Sequence, residues 1–467
     1  MNSKLSKGIV CLVVLLALWF SPTPAGLKVS AWHLFAIFLA TILGIVLQPL
    51  ASGSIVLISI TLCVSTKLIS LGDALRFWSN STVWLILAAF LFAKGFVKTG
   101  LGKRIALILT KKFGTSTLSL AYVLAANDLI MAPATPSNTA RAGGVLFPIV
   151  MSLIKAFDSH PGPTARKMGS FIILSVVFCD CVTSAMFMTA MVSNPVIADL
   201  AFKALGIEIS WALWFKGAIV PGILSLIAIP LFLYIFYPPE LKKLDNAKTI
   251  AGQQLDEMGP IKQGEKIMLI IFIAVLGLWA TSLYTKLDST YIAFLGMSAM
   301  LITSVIDWND VTEEKAAWDV FIWLGGVIGL AGLLAKFGFI TWFADNVALY
   351  LTGIPWWAAF AAVIIVYYYS HYAFAGMTSH VVLMYIGMVM IAVAAGVPKY
   401  VAALSLGYMS SLCASLTHYG TAPAPIYFAA GYVDQQTWWK FGFLVSLINI
   451  AIWGGVGSLW WKVLGLW

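Results

Sequence analysis

Long apolar blocks, separated by short polar or Pro-containing stretches, run along most of the chain. A helix needs roughly 20 mainly apolar residues to cross the hydrocarbon core of a bilayer. Blocks of about this length lie near residues 8–21, 31–50, 53–70, 117–134, 170–191, 211–237, 266–285, 290–306, 356–374, 380–396 and 439–466. The pattern therefore predicts an all-α polytopic membrane protein with about eleven transmembrane helices.

Two further apolar stretches, near 81–97 and 318–335, contain many small residues. Each ends at a Lys-x-Gly sequence, at 98–100 and at 336–338, and an amphipathic stretch follows each one. We expect these two regions to form re-entrant helical hairpins, which enter and leave the membrane on the same side.

A polar segment near the middle of the chain interrupts the apolar pattern. Pro238 and Pro239 open it, and residues 240–266 contain five Lys and five acidic residues. We predict three parts: a first repeat with N-terminal scaffold helices over 1–237, a cytoplasmic linker over 238–266, and a second, inverted repeat over 267–467.

Short polar motifs recur in the same order in the two halves. Residues 136–139 (PSNT) correspond to residues 377–380 (MTSH), and residues 189–195 (TAMVSNP) correspond to residues 417–423 (THYGTAP). Polar, Pro-interrupted segments at matching places in two halves are the best sequence indication of a transporter's binding site.

These motifs have the chemistry of an anion site. Proline removes a backbone donor and breaks a membrane helix, and the N-terminus of the half-helix that follows attracts carboxylates. Two such ends can hold the two carboxylates of one substrate, although Ser and Thr can also simply satisfy carbonyls freed by a kink. The predicted substrate-binding residues are Ser137, Asn138, Thr139, Thr189, Ser193, Thr378, Ser379, His380, Thr417, Thr421 and Pro423.

Ionisable residues within apolar blocks are costly and usually functional. Arg141, one of four Arg residues, follows the first motif closely, and His380 stands where the first motif has Asn138. We expect both to raise the positive potential of the site, with Asp128 and Asp180 as structural partners of Arg141 or of helix ends. A membrane-boundary position for Arg141 and an ordinary buried histidine at 380 stay open.

Composition agrees with a membrane protein. The chain is 61% hydrophobic and 10% charged, and its mean hydropathy is +0.94. These values exclude a soluble enzyme, and the net charge of +9 is scattered, which argues against nucleic acid as a partner. All five Cys lie in apolar blocks, where we expect small buried side chains.

The chain has no pattern for a resident metal or cofactor. His371 and His418 flank the second-half motifs without a third residue at metal-ligand spacing, so we predict no metal and no cofactor. The phosphate-loop pattern and the sequence motifs of hydrolases and metalloproteases are also absent from the sequence. The N-terminal block continues into residues 21–24 (SPTP) without a cleavage site, so we expect a retained first span and a bacterial plasma membrane location.

Four stretches of the chain resemble the divalent-anion:sodium symporter family. They are residues 79–102, 133–149 (PATPSNTARAGGVLFPI), 371–385 (HYAFAGMTSHVVLMY) and 415–428 (SLTHYGTAPAPIYF). The resemblance is strongest to the branch of 2-oxoglutarate/malate translocators and citrate/succinate antiporters. It implies eleven spans, two re-entrant hairpins, an inverted repeat, a homodimer and an elevator motion, with two Ser-Asn-Thr signatures that bind substrate carboxylates.

Ser137, Asn138 and Thr139 match the first signature, whereas in the second only Ser379 matches, because His380 and Val381 replace Asn and Thr. We hypothesise that Arg141 and His380 substitute for the coupling sodium ions and leave an uncompensated positive charge in the empty site. This predicts sodium-independent exchange of C4/C5 dicarboxylates such as malate, succinate, fumarate and 2-oxoglutarate. The alternatives are a sodium-coupled dicarboxylate or citrate symporter, an ion channel and an intramembrane enzyme.

Overall fold

The computed structural model describes residues 3–244, 246–351 and 353–467, and these residues are almost entirely helical. Helices α1 to α24 are, in chain order, Ser3–Phe20, Val29–Leu47, Ser52–Ser65, Leu71–Leu75, Ser81–Thr99, Leu101–Phe113, Thr117–Met131, Phe147–Ala156, Gly169–Met186, Ser193–Leu205, Trp211–Phe236, Ala247–Met258, Gln263–Ala280, Ser282–Thr285, Ser289–Ile302, Trp308–Glu313, Lys315–Lys336, Phe339–Leu351, Trp356–Ser370, Met377–Ala394, Lys399–Leu412, Ala424–Ala429, Gln435–Ala451 and Ser458–Val463. Two π-helical segments, Thr139–Leu146 and Ile452–Gly457, lead into α8 and α24.

Ten helical stretches within the described ranges are long and apolar enough to cross a membrane. The prediction of an all-α polytopic membrane protein is therefore confirmed. Three predicted spans are shorter as helices than their apolar blocks, because α3, α15 and α19 have only 14, 14 and 15 residues. Thr139–Ala156, which lies outside all of the predicted apolar blocks, is also long and apolar enough to cross a membrane.

The two predicted hairpins are pairs of helices joined by very short turns. α5 and α6 meet at Gly100, whose φ is +79°, and Gly338, with φ +84°, stands between α17 and α18. Glycine is favoured at both turns because other residues rarely adopt this left-handed backbone conformation. α5 has 19 residues and α17 has 22, so each is long enough to span, and the re-entrant path remains a prediction.

The order of elements is the same in the two halves of the chain. A helical hairpin (α5 and α6, or α17 and α18) is followed by two interrupted helices and then by a long terminal helix. Short 3₁₀ turns mark the interruptions, at Ala132–Ala134 and Met188–Ala190 in the first half and at His371–Ala373 and Cys413–Leu416 in the second. Each matched pair of interruptions carries one of the matched sequence motifs.

The centre of the molecule consists of one interrupted helix from each half. All 18 residues of α9 are buried, as is every residue of α21 from Val401 onward, and the two helices pack against each other. Each of the interruptions after α9 and α21 therefore begins directly at a buried helix. This arrangement positions the polar motifs inside the protein.

The segment 238–266 is more ordered than the solvated linker that we predicted. It contains α12, which packs against α6, and Leu244, Ala247 and Ala251 are buried. Two backbone hydrogen bonds, from Thr117 N to Lys242 O and from Leu244 N to Thr115 O, attach it to the start of α7. Helix α12 was not predicted because the segment is rich in charged residues and its few apolar residues do not form a long block.

The end of the same segment is attached to the first hairpin by a buried ion pair. Arg104 Nε donates to both carboxylate oxygens of Glu265, at 3.0 and 2.9 Å. Its Nη1 also donates to the carbonyl oxygen of Gly259, at 3.0 Å. The connection between the halves is therefore fixed against α6.

Candidate functional site

The first candidate segment lies where the helix that begins with α7 breaks. Pro133 and Pro136 cannot donate backbone hydrogen bonds, and Thr135 between them is extended rather than helical. The chain then restarts as the π-helix Thr139–Leu146, a rare conformation that occurs often at functional sites. Ser137 Oγ accepts a hydrogen bond from Ala140 N at 3.3 Å, and the side chains of Ser137 and Thr139 are partly exposed.

Arg141 lies inside this break and is completely buried. Its Nε donates to Asp128 Oδ1 at 2.6 Å, and its Nη2 donates to Asp180 Oδ1 at 3.0 Å and to Ser184 Oγ at 2.9 Å. Its Nη1 donates to two main-chain carbonyl oxygens, of Thr135 at 2.9 Å and of Ala190 at 3.1 Å. All five N–H donors of the guanidinium are thus used within the protein.

The pairing of Arg141 confirms one expectation and corrects another. Asp128 and Asp180 are indeed its structural partners, and all three side chains are buried within the protein. The predicted uncompensated positive charge is wrong, since two carboxylates face one guanidinium. A buried charge is costly unless it is paired, which explains why the sequence supplies both acids.

Asn138 connects the first signature to the second half of the chain. Its side-chain Nδ2 donates to Asp180 Oδ2 at 3.2 Å and also to the hydroxyl oxygen of Thr421. Asn138 and Thr421 are buried, and they are 283 residues apart in the sequence. The structure therefore brings the first signature into contact with the 417–423 motif, which the repeat pattern had matched with residues 189–195.

The second signature begins a helix in the same way as the first. Gly376, with φ +151°, precedes α20, and the first turn of α20 holds the partly exposed side chains of Thr378 and Ser379. N–H groups in the first turn of a helix have no intrahelical partners and can donate to an anion. The polar side chains and these N–H groups give each signature segment the same two kinds of donor.

His380 points away from solvent and into a polar and aromatic environment. It is completely buried, its Nε2 lies 3.0 Å from Ser370 Oγ, and the rings of Tyr367, His371 and Phe374 lie within 5.0 Å of its ring. His371 Nε2 in turn donates to the carbonyl oxygen of Gly420 at 2.9 Å, one residue before Thr421. Contacts thus extend from Asn138 through the 417–423 motif and His371 to His380.

The remaining predicted residues divide into hydrogen-bonded and unpartnered groups. Thr189 Oγ1 donates to Pro133 O at 2.5 Å and accepts from Trp211 Nε1 at 3.0 Å, so it ties two breaks together. The hydroxyls of Ser193 and Thr417 are buried and lack hydrogen-bond partners among the described residues. Pro423 is the residue before α22, whose start it places next to Thr421.

Sequence reasoning missed the contact between Tyr427 and the π-helix. Tyr427 Oη donates to the carbonyl oxygen of Ala142 at 2.8 Å, and its ring packs edge-on against Phe147. A tyrosine in an apolar stretch carries no sequence signal for such a contact. Its role emerges only because the second half of the chain folds against the first signature.

Two cavities lie near opposite ends of α5. The larger, of about 760 Å³, is lined by Ser81, Pro195 and Asp199 among others, and the smaller, of about 640 Å³, by Gly100, Lys103 and Gly144. Pro195 and Gly144 belong to the interrupted segments, but neither cavity is lined by Ser137 or Ser379. Neither cavity is therefore assigned to the signatures.

A family of transport proteins matches this chain over nearly its full length. The model of the sodium:sulfate symporter transmembrane region matches residues 2–467. The chain belongs to the sodium:sulfate symporter family. Membership confirms the resemblance to divalent-anion:sodium symporters, identifies a transporter rather than an enzyme and, with the apolar helices, confirms a multi-pass plasma membrane protein.

Curated relatives from bacteria and plants are similar over the whole chain. The protein named "Putative malate transporter YflS" from Bacillus subtilis (strain 168) is 45% identical over 99% of this chain and 97% of its own length. "Dicarboxylate transporter 1, chloroplastic" from Spinacia oleracea is 43% identical over 96% of this chain and 80% of its own. The inner membrane protein YbhI of Escherichia coli (strain K12) is 38% identical over 100% of this chain and 99% of its own length.

Solved structures support the fold of this symporter-family member. MtrF of Neisseria gonorrhoeae superimposes with a TM-score of 0.57 at 13% identity, covering 98% of this chain and 95% of its own. The YdaH transporter of Alcanivorax borkumensis superimposes with a TM-score of 0.55 at 11% identity, and the match covers 99% of both chains. At these identities the likeness concerns the architecture alone.

Proposed function

We propose that this protein exchanges C4/C5 dicarboxylates across the plasma membrane without sodium. The substrate class rests on the relatives, whose names describe malate or dicarboxylate transport at 43–45% identity. Malate, succinate, fumarate and 2-oxoglutarate share two carboxylates separated by a short carbon chain. A site with two anion-binding helix starts fits that chemistry.

The hydrogen bond between Asn138 and Thr421 is the observation that carries the proposal. It joins the first signature to the 417–423 motif in the other half of the chain, so two interrupted helices meet. Ser137 and Thr139 in the first signature and Thr378 and Ser379 in the second are partly exposed. We propose that each pair, together with its helix start, binds one carboxylate of the substrate.

The position of Arg141 supports sodium independence at the first break. In transporters with broken helices, carbonyl oxygens freed by the unwound backbone commonly coordinate the sodium ion. Here the freed carbonyls of Thr135 and Ala190 accept hydrogen bonds from Arg141 instead. Arg141 would then replace the ion by occupying its ligands, while Asp128 and Asp180 neutralise the guanidinium.

His380 supports the same conclusion at the second break. The family's signature has Asn at this position, and an Asn side chain offers a hard carbonyl oxygen to a cation. An imidazole offers nitrogen, which suits transition metals better than sodium. The ring of His380 packs against aromatic rings, and its hydrogen-bond partner is the single hydroxyl of Ser370.

Exchange, rather than uniport, follows from the two helix starts. The N–H groups at the two helix starts have no intrahelical partners, so an empty site leaves these donors unsatisfied. Moving unsatisfied donors through the membrane is unfavourable, and a bound dicarboxylate satisfies them. This argument replaces the one based on a free Arg141 guanidinium.

We also propose an inverted repeat, with 1–237 and 267–467 as its halves, that works by an elevator motion. Support comes from the identical order of hairpin and interrupted helices in the two halves, and from the buried pair α9 and α21 at the centre. Such a core would carry the substrate site as one body past the outer helices.

A sodium-coupled symporter is the second candidate, and buried oxygen atoms favour it. Ser193 Oγ, Asn194 Oδ1 and Thr417 Oγ1 lack hydrogen-bond partners among the described residues. Oxygen atoms are the ligands that hard cations such as sodium require. These atoms adjoin the second interruption of each half, where a residual ion could bind.

Counterflow into liposomes tests the proposal. Purified protein is reconstituted into vesicles loaded with malate or with buffer alone, and uptake of labelled succinate, 2-oxoglutarate and sulfate is followed in sodium-free medium. Uptake of both dicarboxylates only into malate-loaded vesicles is the expected result. Equal uptake into buffer-loaded vesicles would overturn exchange, and preference for sulfate would overturn the substrate class.

A further inference from the structure

The helix interrupted at His371–Ala373 and its neighbour α21 supply a cluster of nitrogen and sulfur atoms to which the transport proposal assigns no ligand. His371, His380 and Cys413 are completely buried, and each offers one potential ligand atom such that the three atoms lie within 4.8 Å of one another. They come from three separate places: the end of α19, the first turn of α20 and the end of α21. This separation explains why the spacing in the sequence gave no indication of a metal site.

Hydrogen bonds determine which nitrogen of His371 is available. Its Nε2 is 2.9 Å from the carbonyl oxygen of Gly420, which can only accept, so Nε2 carries the proton. Nδ1 therefore presents a lone pair, and it has no hydrogen-bond partner among the described residues. A ring N–H bound to a backbone carbonyl, with the other nitrogen free, is the usual arrangement of a metal-binding histidine.

The same reasoning applies to His380. Ser370 Oγ donates its single proton to Tyr367 O at 2.9 Å, so it must accept at its contact with His380 Nε2 at 3.0 Å. His380 Nδ1 then holds a lone pair, and it too is buried without a partner in the described part of the chain. Each ring thus has one unpartnered nitrogen, and one ring nitrogen of each histidine lies within 4.8 Å of the other and of the Cys413 sulfur.

We propose that His371, His380 and Cys413 form a binding site for a zinc-class divalent ion. Thiolate and imidazole ligands suit zinc and cadmium and discriminate against sodium. Donor atoms around one zinc ion lie roughly 3.3–3.8 Å apart, so the three groups need to close by about 1 Å. Binding converts the Cys413 thiol to a thiolate and releases its proton to the buffer, and a water completes the coordination.

A bound ion would connect α19 and α20, the two parts of the helix interrupted at His371–Ala373, to the end of α21. His371 and His380 lie on opposite sides of the interruption, and Cys413 lies at the next interruption. An ion that joins all three fixes their relative positions. We therefore expect zinc to inhibit transport, a consequence that rests on the proposed function, whereas the binding itself does not.

Zinc and cadmium titrations of the purified, chelator-stripped protein test the site. Competition with a chromophoric chelator gives the number of zinc ions per chain, and the ultraviolet charge-transfer band of a cadmium thiolate reports a cysteine ligand. The variant is Cys413→Ala, and the matched control is Cys63→Ala, which removes another buried free cysteine, in α3. His371→Asn serves as a second variant if Cys413→Ala does not fold.

We expect one zinc ion per chain and a cadmium thiolate band in the native protein and in Cys63→Ala. Affinity should fall by at least about tenfold in Cys413→Ala and in His371→Asn, and the band should disappear in Cys413→Ala. Absence of zinc binding to the native protein, or an unchanged band in Cys413→Ala, would overturn the site. Inhibition of exchange in the liposome assay is a separate readout, so a failure of the transport proposal leaves the binding result interpretable.

Discussion

Tyr427 donates a hydrogen bond to the carbonyl oxygen of Ala142 at 2.8 Å, and so connects α22 with the π-helix that follows the first signature. In a π-helix the usual backbone pattern is disturbed, and an outside donor can satisfy a carbonyl that the helix leaves exposed. This contact, like the one between Asn138 and Thr421, links the two halves of the chain directly at the candidate site.

Tyr427→Phe removes that hydrogen bond and keeps the ring against Phe147. We expect a loss of about 1 kcal/mol in the free energy of unfolding, since one buried acceptor loses its partner. The initial rate of exchange should fall as well, because the π-helix positions the first signature. Both are measurable in the same preparation, and an unchanged exchange rate would show that the contact is structural only.

Arg141→Ala should abolish exchange and strongly destabilise the protein. Removing the guanidinium leaves Asp128 and Asp180 as buried charges without a counter-ion, a change that typically costs about 3–5 kcal/mol. The control is Arg76→Ala, whose pair with Asp73 is exposed and spans 3.7 Å, and this change should cost less than about 1 kcal/mol. Thermal unfolding and liposome exchange provide the comparison, and full exchange by Arg141→Ala contradicts the assigned role.

Asn138 and Thr421 should act as a coupled pair. We propose a double-mutant cycle with Asn138→Ala and Thr421→Val, of which the second keeps the side-chain shape. Because the two residues share a hydrogen bond, the effects of the single changes on exchange should not add, with a coupling energy of about 0.5–3 kcal/mol. Strict additivity of the two effects would mean that the bond has no part in transport.

Ser379→Ala tests the second carboxylate site. A hydrogen bond to a charged group contributes about 1.5–3 kcal/mol, so its loss should raise the KM for malate roughly ten- to hundredfold. The melting temperature should change little, because the side chain is partly exposed. Ser54→Ala, at an exposed position in α3, is the control, and an unaltered KM in Ser379→Ala would remove this residue from the site.

Gly420→Ala should destabilise the 417–423 motif. A Cβ there would lie 2.5 Å from the backbone carbonyl oxygen of Ala414, a distance that real Cβ atoms essentially never show. It would also lie 3.1 Å from His371 Nε2, which is a tight contact. We expect a cost of about 1–3 kcal/mol in the free energy of unfolding. Gly387→Ala, in the middle of α20 with open space around it, should be neutral or slightly stabilising, and equal effects of the two changes would contradict the packing described here.

The interrupted helices could be predicted because proline and small polar residues leave a clear signal in an apolar sequence. Pro133 and Pro136 located the first break, and the matching motif at 377–380 located its counterpart. The fold class followed from the length of the apolar blocks. Helix α12 was missed, since its charged residues hide the few alanines that it buries.

The pairing of side chains could not be predicted, because it depends on packing between distant segments. Arg141 pairs with Asp128, 13 residues before it, and with Asp180, 39 residues after it. Nothing in these sequence spacings requires both contacts. A metal site was rejected at His371 and His418 for want of a third ligand at suitable spacing, whereas the structure places His371 beside His380 and beside Cys413 from another helix.

The dependence of exchange on sodium tests the central proposal most directly. Labelled malate uptake into malate-loaded liposomes is measured at increasing sodium concentrations, with choline replacing sodium at constant ionic strength. Because Arg141 takes the carbonyls of Thr135 and Ala190, we predict the same initial rate at every concentration, including zero. A rate that vanishes without sodium and rises with its concentration would contradict the proposal and favour the symporter.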